Sequence, residues 1–295
     1  MNAYEIVVDS TTDLTPELAD SLGVCVIPYI FTLDQKEYHN YLDYREISKK
    51  DFYNTLRAGK TASTTQVTPT RYREVWEPFL KEGKDVLYMC LSSMLSKSFE
   101  MSVLAARELT DKYPDRKIVT IDSKSASLGQ GALAFYSSKA KESGKSLEEN
   151  AKYVDMLIPK LHHWVMADDL HHLRRGGRVS GASAFVGTML SIKPILTMPS
   201  DGRLVPIHKA RGRAKAFDYF LEKAQEYRLD KAYDTVFISH SDAEDMAMDL
   251  RLKFEDKLGV RNFVINEIGP VIGAHTGPGT VAIMYVAEGD RAAAK

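Results

Sequence analysis

Tyr4-Glu5-Ile6-Val7-Val8-Asp9-Ser10-Thr11-Thr12-Asp13-Leu14-Thr15-Pro16 compresses the organisation of the whole chain into thirteen residues. A short β-branched run, Tyr4–Val8, has the character of a buried strand. It breaks into a polar cluster, and Thr15-Pro16 then places a hydroxyl at a helix N-cap and a proline at the first helical position. The same phrase recurs downstream. Candidate strands are Val24–Ile30, Val86–Leu91, Lys117–Ile121, Thr235–Ser239 and Phe263–Ile265. Between them lie helix-length amphipathic stretches at Pro16–Ser21, Pro69–Lys81, Phe99–Lys112, Ala126–Ser143, Leu147–Leu161, Arg213–Tyr227 and Ala243–Leu258, the second opened by Thr68-Pro69. Strands alternating with helices predict an α/β fold with a parallel sheet. After about residue 160 the pattern changes to glycine and short apolar runs. This change predicts two α/β domains, 1–161 and 162–295, without a flexible linker between them.

Composition narrows the function. The chain has 295 residues, 44% hydrophobic and 27% charged, with a formal net charge of −1. Such a balance suits a globular protein and gives no general field for nucleic acid or an anionic membrane. The two cysteines, Cys25 and Cys90, each sit in an apolar run and read as buried thiols in a reducing compartment. The first residues carry no signal-peptide pattern, and the apolar stretch Ala184–Met198 is too short and too interrupted to span a bilayer. A cytoplasmic protein with no integral membrane segment is expected.

Most strands of the first half end in hydroxyl clusters: Asp9-Ser10-Thr11-Thr12, Leu91-Ser92-Ser93 and Asp122-Ser123-Lys124-Ser125, with six more hydroxyl residues between Thr61 and Thr70. Ligands of open α/β sheets bind outside the carboxyl ends of the strands. The competing reading is that these residues only cap the helices that follow.

Other motifs carry less. The run from Gly176 to Ser183 approaches a phosphate-binding loop but has Ala182 in place of the lysine that reaches the phosphates. Neither GxGxxG nor GxSxG occurs. His162-His163 and His171-His172, with Asp168 and Asp169 between them, lack metal-ligand spacing and read as surface or helix-end histidines, so no metal or cofactor is expected. Two basic clusters, Arg174-Arg175-Gly176-Gly177-Arg178 and the run from Arg203 through Lys209, Arg211, Arg213 and Lys215, lack the interleaved aromatics of a nucleic-acid surface. The first has glycines that allow close approach of a partner or anion; the second reads as a solvated helix start. Finally, Gly269-Pro270-Val271-Ile272-Gly273-Ala274-His275-Thr276-Gly277-Pro278-Gly279-Thr280 reads as a tight loop that fixes His275, in a structural or a functional role.

Taken in order, these segments resemble the DegV family of fatty-acid-binding proteins. The likeness runs through Val8–Leu14, Ser63–Pro69, Leu91–Ser96, Ile121–Ser123, Leu173–Ser180, Ile192–Ile195, Asp201-Gly202, Lys209–Arg213 and His275–Thr280. It implies a parallel-sheet, three-layer N-terminal domain and a mixed-sheet C-terminal domain with a lipid tunnel between them. It further implies a long-chain fatty acid whose carboxylate is held by Thr64, Thr65, Ser93 and His275. The partner it implies is a separate ATP-dependent fatty acid kinase, which makes an acyl phosphate for phospholipid synthesis, with Arg178 at the position concerned with that kinase. The protein would then be a lipid carrier rather than an enzyme. Two segments depart from the family pattern. Leu95-Ser96-Lys97-Ser98 stands for Leu-Ser-Gly-Thr, so that Lys97 either adds charge near the head group or lies on the helix surface. Thr64-Thr65-Gln66-Val67-Thr68 stands for Thr-Ser-Gln-Pro-Ser. A hydrolase or phosphotransferase using Ser93 and His275, and a carrier of another apolar ligand, are the alternative readings.

Overall fold

A computed structural model describes residues 3–168, 170–180 and 192–292. In the N-terminal part, β1 (Tyr4–Asp9), β2 (Val24–Ile27), β6 (Asp85–Cys90) and β7 (Ile118–Asp122) form a wholly parallel sheet in the order β2-β1-β6-β7. Its crossovers run through α1 (Pro16–Ser21), then α2 (Lys49–Arg57) and α3 (Pro69–Lys81), then α4 (Ser98–Lys112). The threonine N-caps are made: Thr15 accepts from the Leu18 N–H and Thr68 from the Arg71 N–H. A small antiparallel sheet, β4-β3-β5, stands beside it, built from β3 (Ile30–Leu33), β4 (Lys36–His39) and β5 (Ala62–Thr65).

The C-terminal part holds a six-stranded mixed sheet in the order β10-β9-β8-β13-β11-β12. Its strands are β8 (Leu161–Met166), β9 (Ile192–Thr197), β10 (Val205–Arg211), β11 (Thr235–His240), β12 (Asn262–Glu267) and β13 (Val281–Val286). Only β11 and β12 pair parallel. Helices α8 (Gly212–Tyr227) and α9 (Glu244–Leu258) cover one face through Phe217, Phe220, Leu250 and Phe254.

Helix α5 (Leu128–Glu142) joins the two sheets. It is buried nearly all round, and it touches β1 and β6 on one side and β11 and β13 on the other. Two of its glycines allow that approach. A Cβ on Gly131 would stand 3.0 Å from the Thr12 carbonyl oxygen, and one on Gly129 would collide with Ser125 and His163. Helix α6 (Leu147–Leu157), closed by a capping box between Ser146 and Glu149, packs beside α5. One apolar cluster therefore runs from Ile6 and Leu87 through Leu133 to Phe237 and Met284.

Several expectations change. The run 24–30 is not one strand: Pro28 has no N–H for a ladder, and the chain leaves the parallel sheet at Ile27 and enters the antiparallel one at Ile30. The helix from Leu147 ends at Leu157, because Pro159 cannot continue it, and Leu161 already begins β8. Of the second basic cluster, Lys209 lies on the edge strand β10, whereas Arg211 ends that strand at the N-cap of α8 and Arg213 and Lys215 follow in the start of the helix. Charged side chains on an edge discourage pairing with other chains. His162 and His163 are not at the surface but are buried in β8, each 2% exposed. His171 and His172 do open a short helix, α7 (His171–Arg175). Cys90 is buried as expected, whereas Cys25 is only partly so. Asp169 and the 181–183 end of the loop with Ala182 lie outside the described residues.

Candidate functional site

The carboxyl ends of the parallel strands carry the hydroxyl clusters, and the structure divides these into two kinds. The first cluster is internal scaffolding. Asp9 is fully buried and accepts from the Thr11 N–H, the Tyr88 hydroxyl and the Leu91 N–H at 3.0, 2.9 and 3.3 Å. Burial nonetheless raises its pKa. Thr11 also donates to Gln130 of α5 at 2.7 Å. The cluster's hydroxyls neither line the inter-sheet cavity nor cap α1, whose N-cap is Thr15.

Ser92, Ser93, Ser123 and Ser125 likewise bond within the scaffold, whereas Thr64 and Thr65 of the 61–70 run open onto that cavity. It lies between the two sheets and measures about 200 Å³. Its walls come from both halves: Leu91, Leu95 and Ala126 from the parallel-sheet side, Val165, Ala282 and Met284 from the mixed sheet. Thr64, Thr65, Gln66, Ser96, Arg178 and His275 also line it, and they form a polar group against otherwise largely aliphatic walls.

His275 sits in the last turn of α10 (Pro270–Thr276) rather than in a loop. Gly269-Pro270 starts that helix, and the positive φ of Gly277 ends it. Its Nε2 lies 2.9 Å from Thr64 Oγ1 on β5. Its Nδ1 is buried and meets no hydrogen-bonding partner among the described residues. The ring lies so close to Gly176, at the end of α7, that a Cβ there would fall 2.2 Å from Nδ1. Glycine is therefore required at 176 by proximity, not by backbone angle. Burial, and then the charges of Arg178 and Arg175, push the His275 pKa down to about 4. The imidazole is neutral at pH 7, able to donate from one nitrogen and accept at the other.

Arg178 is exposed. Its Nε donates to the Leu95 carbonyl at 3.1 Å and its Nη1 to the Gly176 carbonyl at 2.5 Å. It thus fastens the glycine-rich loop to the 95–97 turn while leaving one face open at the cavity mouth. The Lys97 ammonium is exposed and pairs with Glu100 at 3.1 Å, while the residue also lines the cavity.

The structure brings together Thr64, Thr65, His275 and Arg178, and leaves Ser93 out of the cavity wall. Ser93 Oγ accepts from the Lys124 ammonium at 3.1 Å and its N–H donates to Asp122 at 3.1 Å, with Lys124 and Asp122 paired at 2.6 Å. That knot ties β6 to β7. The turn following Ser93 presents Ser96 to the cavity instead. Both serines belong to the same hydroxyl-rich segment, and nothing in its sequence states which of them turns inward.

Three further interior groups line the cavity, of which only His163 carries a sequence signal, as a surface or helix-end histidine. Ser127 lines the cavity with φ 54°, a conformation rare for a non-glycine residue, and its hydroxyl donates to Asp13 at 2.5 Å. Asp13 also accepts the Gly269 N–H at 2.9 Å, which joins the two halves. Burial pushes the Asp13 pKa up to about 7, against the opposing effects of Ser127, Gly269 and Lys49. His163 reaches Ser125 Oγ at 2.6 Å, and burial holds its pKa well below the ordinary histidine value. Tyr29 is the third.

Fold and site together define a two-sheet α/β protein built around an internal, largely apolar cavity whose wall also carries hydroxyl and imidazole groups. The chain belongs to the DegV family: that family's model, described as an uncharacterised protein family, matches residues 3–288. A DegV domain-containing protein of Clostridium perfringens is 37% identical over 288 residues, which span 98% of this chain and 99% of its own. A DegV family protein from Thermus thermophilus, described by its fatty acid binding, superposes with a TM-score of 0.86 at 30% identity, covering 97% of this chain and 99% of that one. DegV of Bacillus subtilis, a fatty acid binding protein, superposes with a TM-score of 0.83 at 26% identity over 98% of this chain and 100% of its own. No helix among the described residues is long and apolar enough to cross a membrane.

Proposed function

We propose that this protein holds one long-chain fatty acid in the inter-sheet cavity and presents its carboxylate to a separate ATP-dependent kinase, which forms an acyl phosphate for phospholipid synthesis. The observation that carries the reading is the cavity itself, a largely aliphatic space between the sheets whose wall also holds the bonded pair Thr64–His275 with Thr65, Ser96 and Arg178. Each buried methylene is worth about 0.8 kcal/mol, so a sixteen-carbon chain gains on the order of 12 kcal/mol before ordering costs. Thr64, Thr65 and His275 receive the carboxylate, and Ser96 takes the place expected of Ser93. Hydroxyls suit a head group that changes from carboxylate to acyl phosphate, because they rotate to donate or accept. Residues 1–161 and 162–295 act as two domains that close on the acyl chain. Arg178 turns its free face toward the kinase.

The protein acts as a carrier with no chemistry of its own. A hydrolytic Ser–His pair needs its histidine oriented by an acid. Among the described residues the Nδ1 of His275 has no acid partner, and the Ser93 hydroxyl is held by Lys124. Native mass spectrometry and lipid extraction of freshly purified protein test the reading. About one non-covalent fatty acid per chain is expected; an empty protein that also fails to take up added fatty acids refutes it. Retention of a retinoid or sterol instead would place the protein among carriers of another apolar ligand.

A further inference from the structure

Asp13 is a buried carboxylate, 1% exposed, that the head-group chemistry does not use. It stands at the end of the first hydroxyl cluster in the left-handed conformation, φ 51° and ψ 31°, which aspartate tolerates better than most residues. From there it reaches the amino ends of two helices that border the cavity. Its Oδ2 accepts the hydroxyl of Ser127, the N-cap of α5, at 2.5 Å. Its Oδ1 accepts the N–H of Gly269, the N-cap of α10, at 2.9 Å. Ser127 lies on the cavity wall, and α10 gives that wall Val271, Ile272 and His275.

The contact with α10 is close and braced. The Asp13 carbonyl accepts from Asn266 Nδ2 at 2.7 Å, and the Tyr53 hydroxyl donates to the Ile268 carbonyl at 2.7 Å. A Cβ on Gly269 would stand 2.9 Å from Asp13 Oδ1, so the glycine is what lets the carboxylate come this near. A carboxylate holds a backbone N–H more strongly than a neutral acceptor does. Burial opposes the arrangement and pushes the carboxyl pKa up to about 7. A residue that merely filled this space would be apolar, because burying a charge costs free energy. Without the carboxylate, Ser127 can still turn to Ser239 at 2.8 Å, whereas the buried Gly269 N–H loses its acceptor. An unmet buried N–H is costly, so the short helix would shift toward a new acceptor and carry His275 with it.

We propose that Asp13 is a positioning residue for the head-group site: by holding the amino end of α10 it sets where His275, near the other end, meets Thr64 and the fatty-acid carboxylate. The proposal rests on the carrier reading above, and within it Asp13 acts through His275.

Delipidated full-length proteins are titrated calorimetrically at one fixed pH with a sixteen-carbon fatty acid and with its methyl ester, and ligand-free melting is recorded. Asp13→Ala should bind the acid about ten-fold more weakly and the ester within about three-fold of wild type. Asp13→Asn keeps an acceptor for the Gly269 N–H and should restore acid binding to within about three-fold. In a His275→Ala background Asp13→Ala should cost less than about two-fold, since the residue it positions is gone. Asn266→Ala, which cuts the neighbouring bond and keeps the carboxylate, should give a smaller loss with the same dependence on His275, and it serves in place of Asp13→Ala if that variant does not fold. Unchanged acid affinity in the folded variant overturns the proposal while leaving the carrier reading intact. An equal loss for acid and ester, or a full loss that persists without His275, overturns it as well, because both patterns mark a general weakening of the fold. Wild-type protein that binds neither ligand overturns the carrier reading first and this role with it.

Discussion

Replacing Gly176 by alanine tests whether the position of His275 matters to the ligand. Gly176 has φ −74° and ψ −11°, ordinary helical angles, so alanine meets no backbone penalty there. The added Cβ would stand 2.2 Å from Nδ1 of His275, whereas ordinary contact begins at about 3.4 Å, and the ring must therefore retreat by roughly 1 Å. A shift of that size stretches the 2.9 Å Thr64–His275 contact beyond hydrogen-bonding range. A hydrogen bond to a charged head group is worth about 1.5–3 kcal/mol, so fatty-acid affinity should fall about ten- to hundred-fold. Overpacking adds about 1–3 kcal/mol of destabilisation, visible in the melt. Gly177→Ala is the control. It has φ +66° and nothing within 4 Å of its Cβ, so it should cost about 1–2 kcal/mol of stability through backbone strain and leave affinity unchanged. Calorimetric titration of delipidated proteins, paired with thermal melts, reads both effects. A folded Gly176→Ala protein with wild-type affinity would refute the role given to His275.

Three further outcomes follow from the geometry. Ser96→Ala should weaken fatty-acid binding about ten-fold, while Ser93→Ala should change it less than about two-fold; the reverse ranking, by the same titration, would restore the head-group role to Ser93. Arg178→Ala should retain the ligand, because the arginine is exposed and bonds only to carbonyls, yet sharply reduce acyl-phosphate formation in a coupled assay with the cognate kinase and ATP. Wild-type turnover by that variant removes it from the mechanism. Asp13 should make stability depend on pH. Its folded pKa of about 7 lies above the ordinary 3.8, so the contribution is complete below about pH 4 and is lost as pH rises through 7, on the order of 4 kcal/mol in all. Urea melts from pH 4 to pH 8 should show a smaller fall on this limb for Asp13→Asn than for wild type; parallel curves would show that Asp13 does not titrate there.

Much of the architecture was legible because it is written locally. β-branched runs at Ile6–Val8 and Val86–Leu87 mark buried parallel strands, and Thr15-Pro16 and Thr68-Pro69 mark helix starts, since caps and proline act within one turn. The antiparallel sheet was not legible. Its strands β4 and β5 read Lys36–His39 and Ala62–Thr65, polar four-residue segments whose pairing with β3 supplies the order that their composition does not. His162 and His163 misled for a similar reason: only their neighbours show that one strand carries both into the interior.

For the site, sequence by itself determined the chemistry on offer: hydroxyls after the strands, a glycine-bounded histidine, an arginine among glycines, and the family likeness that orders them. Tertiary structure alone decided which of these meet. Thr64 and His275 are 211 residues apart and lie in hydrogen-bonding contact, whereas Ser93, in the same hydroxyl-rich run as Ser96, is drawn off by Asp122 and Lys124. The physical reason is that a hydroxyl's role is set by the nearest group able to pair with it. In a protein whose two sheets close over one helix, that group comes from a distant part of the chain, and a local pattern of residues cannot encode the distance.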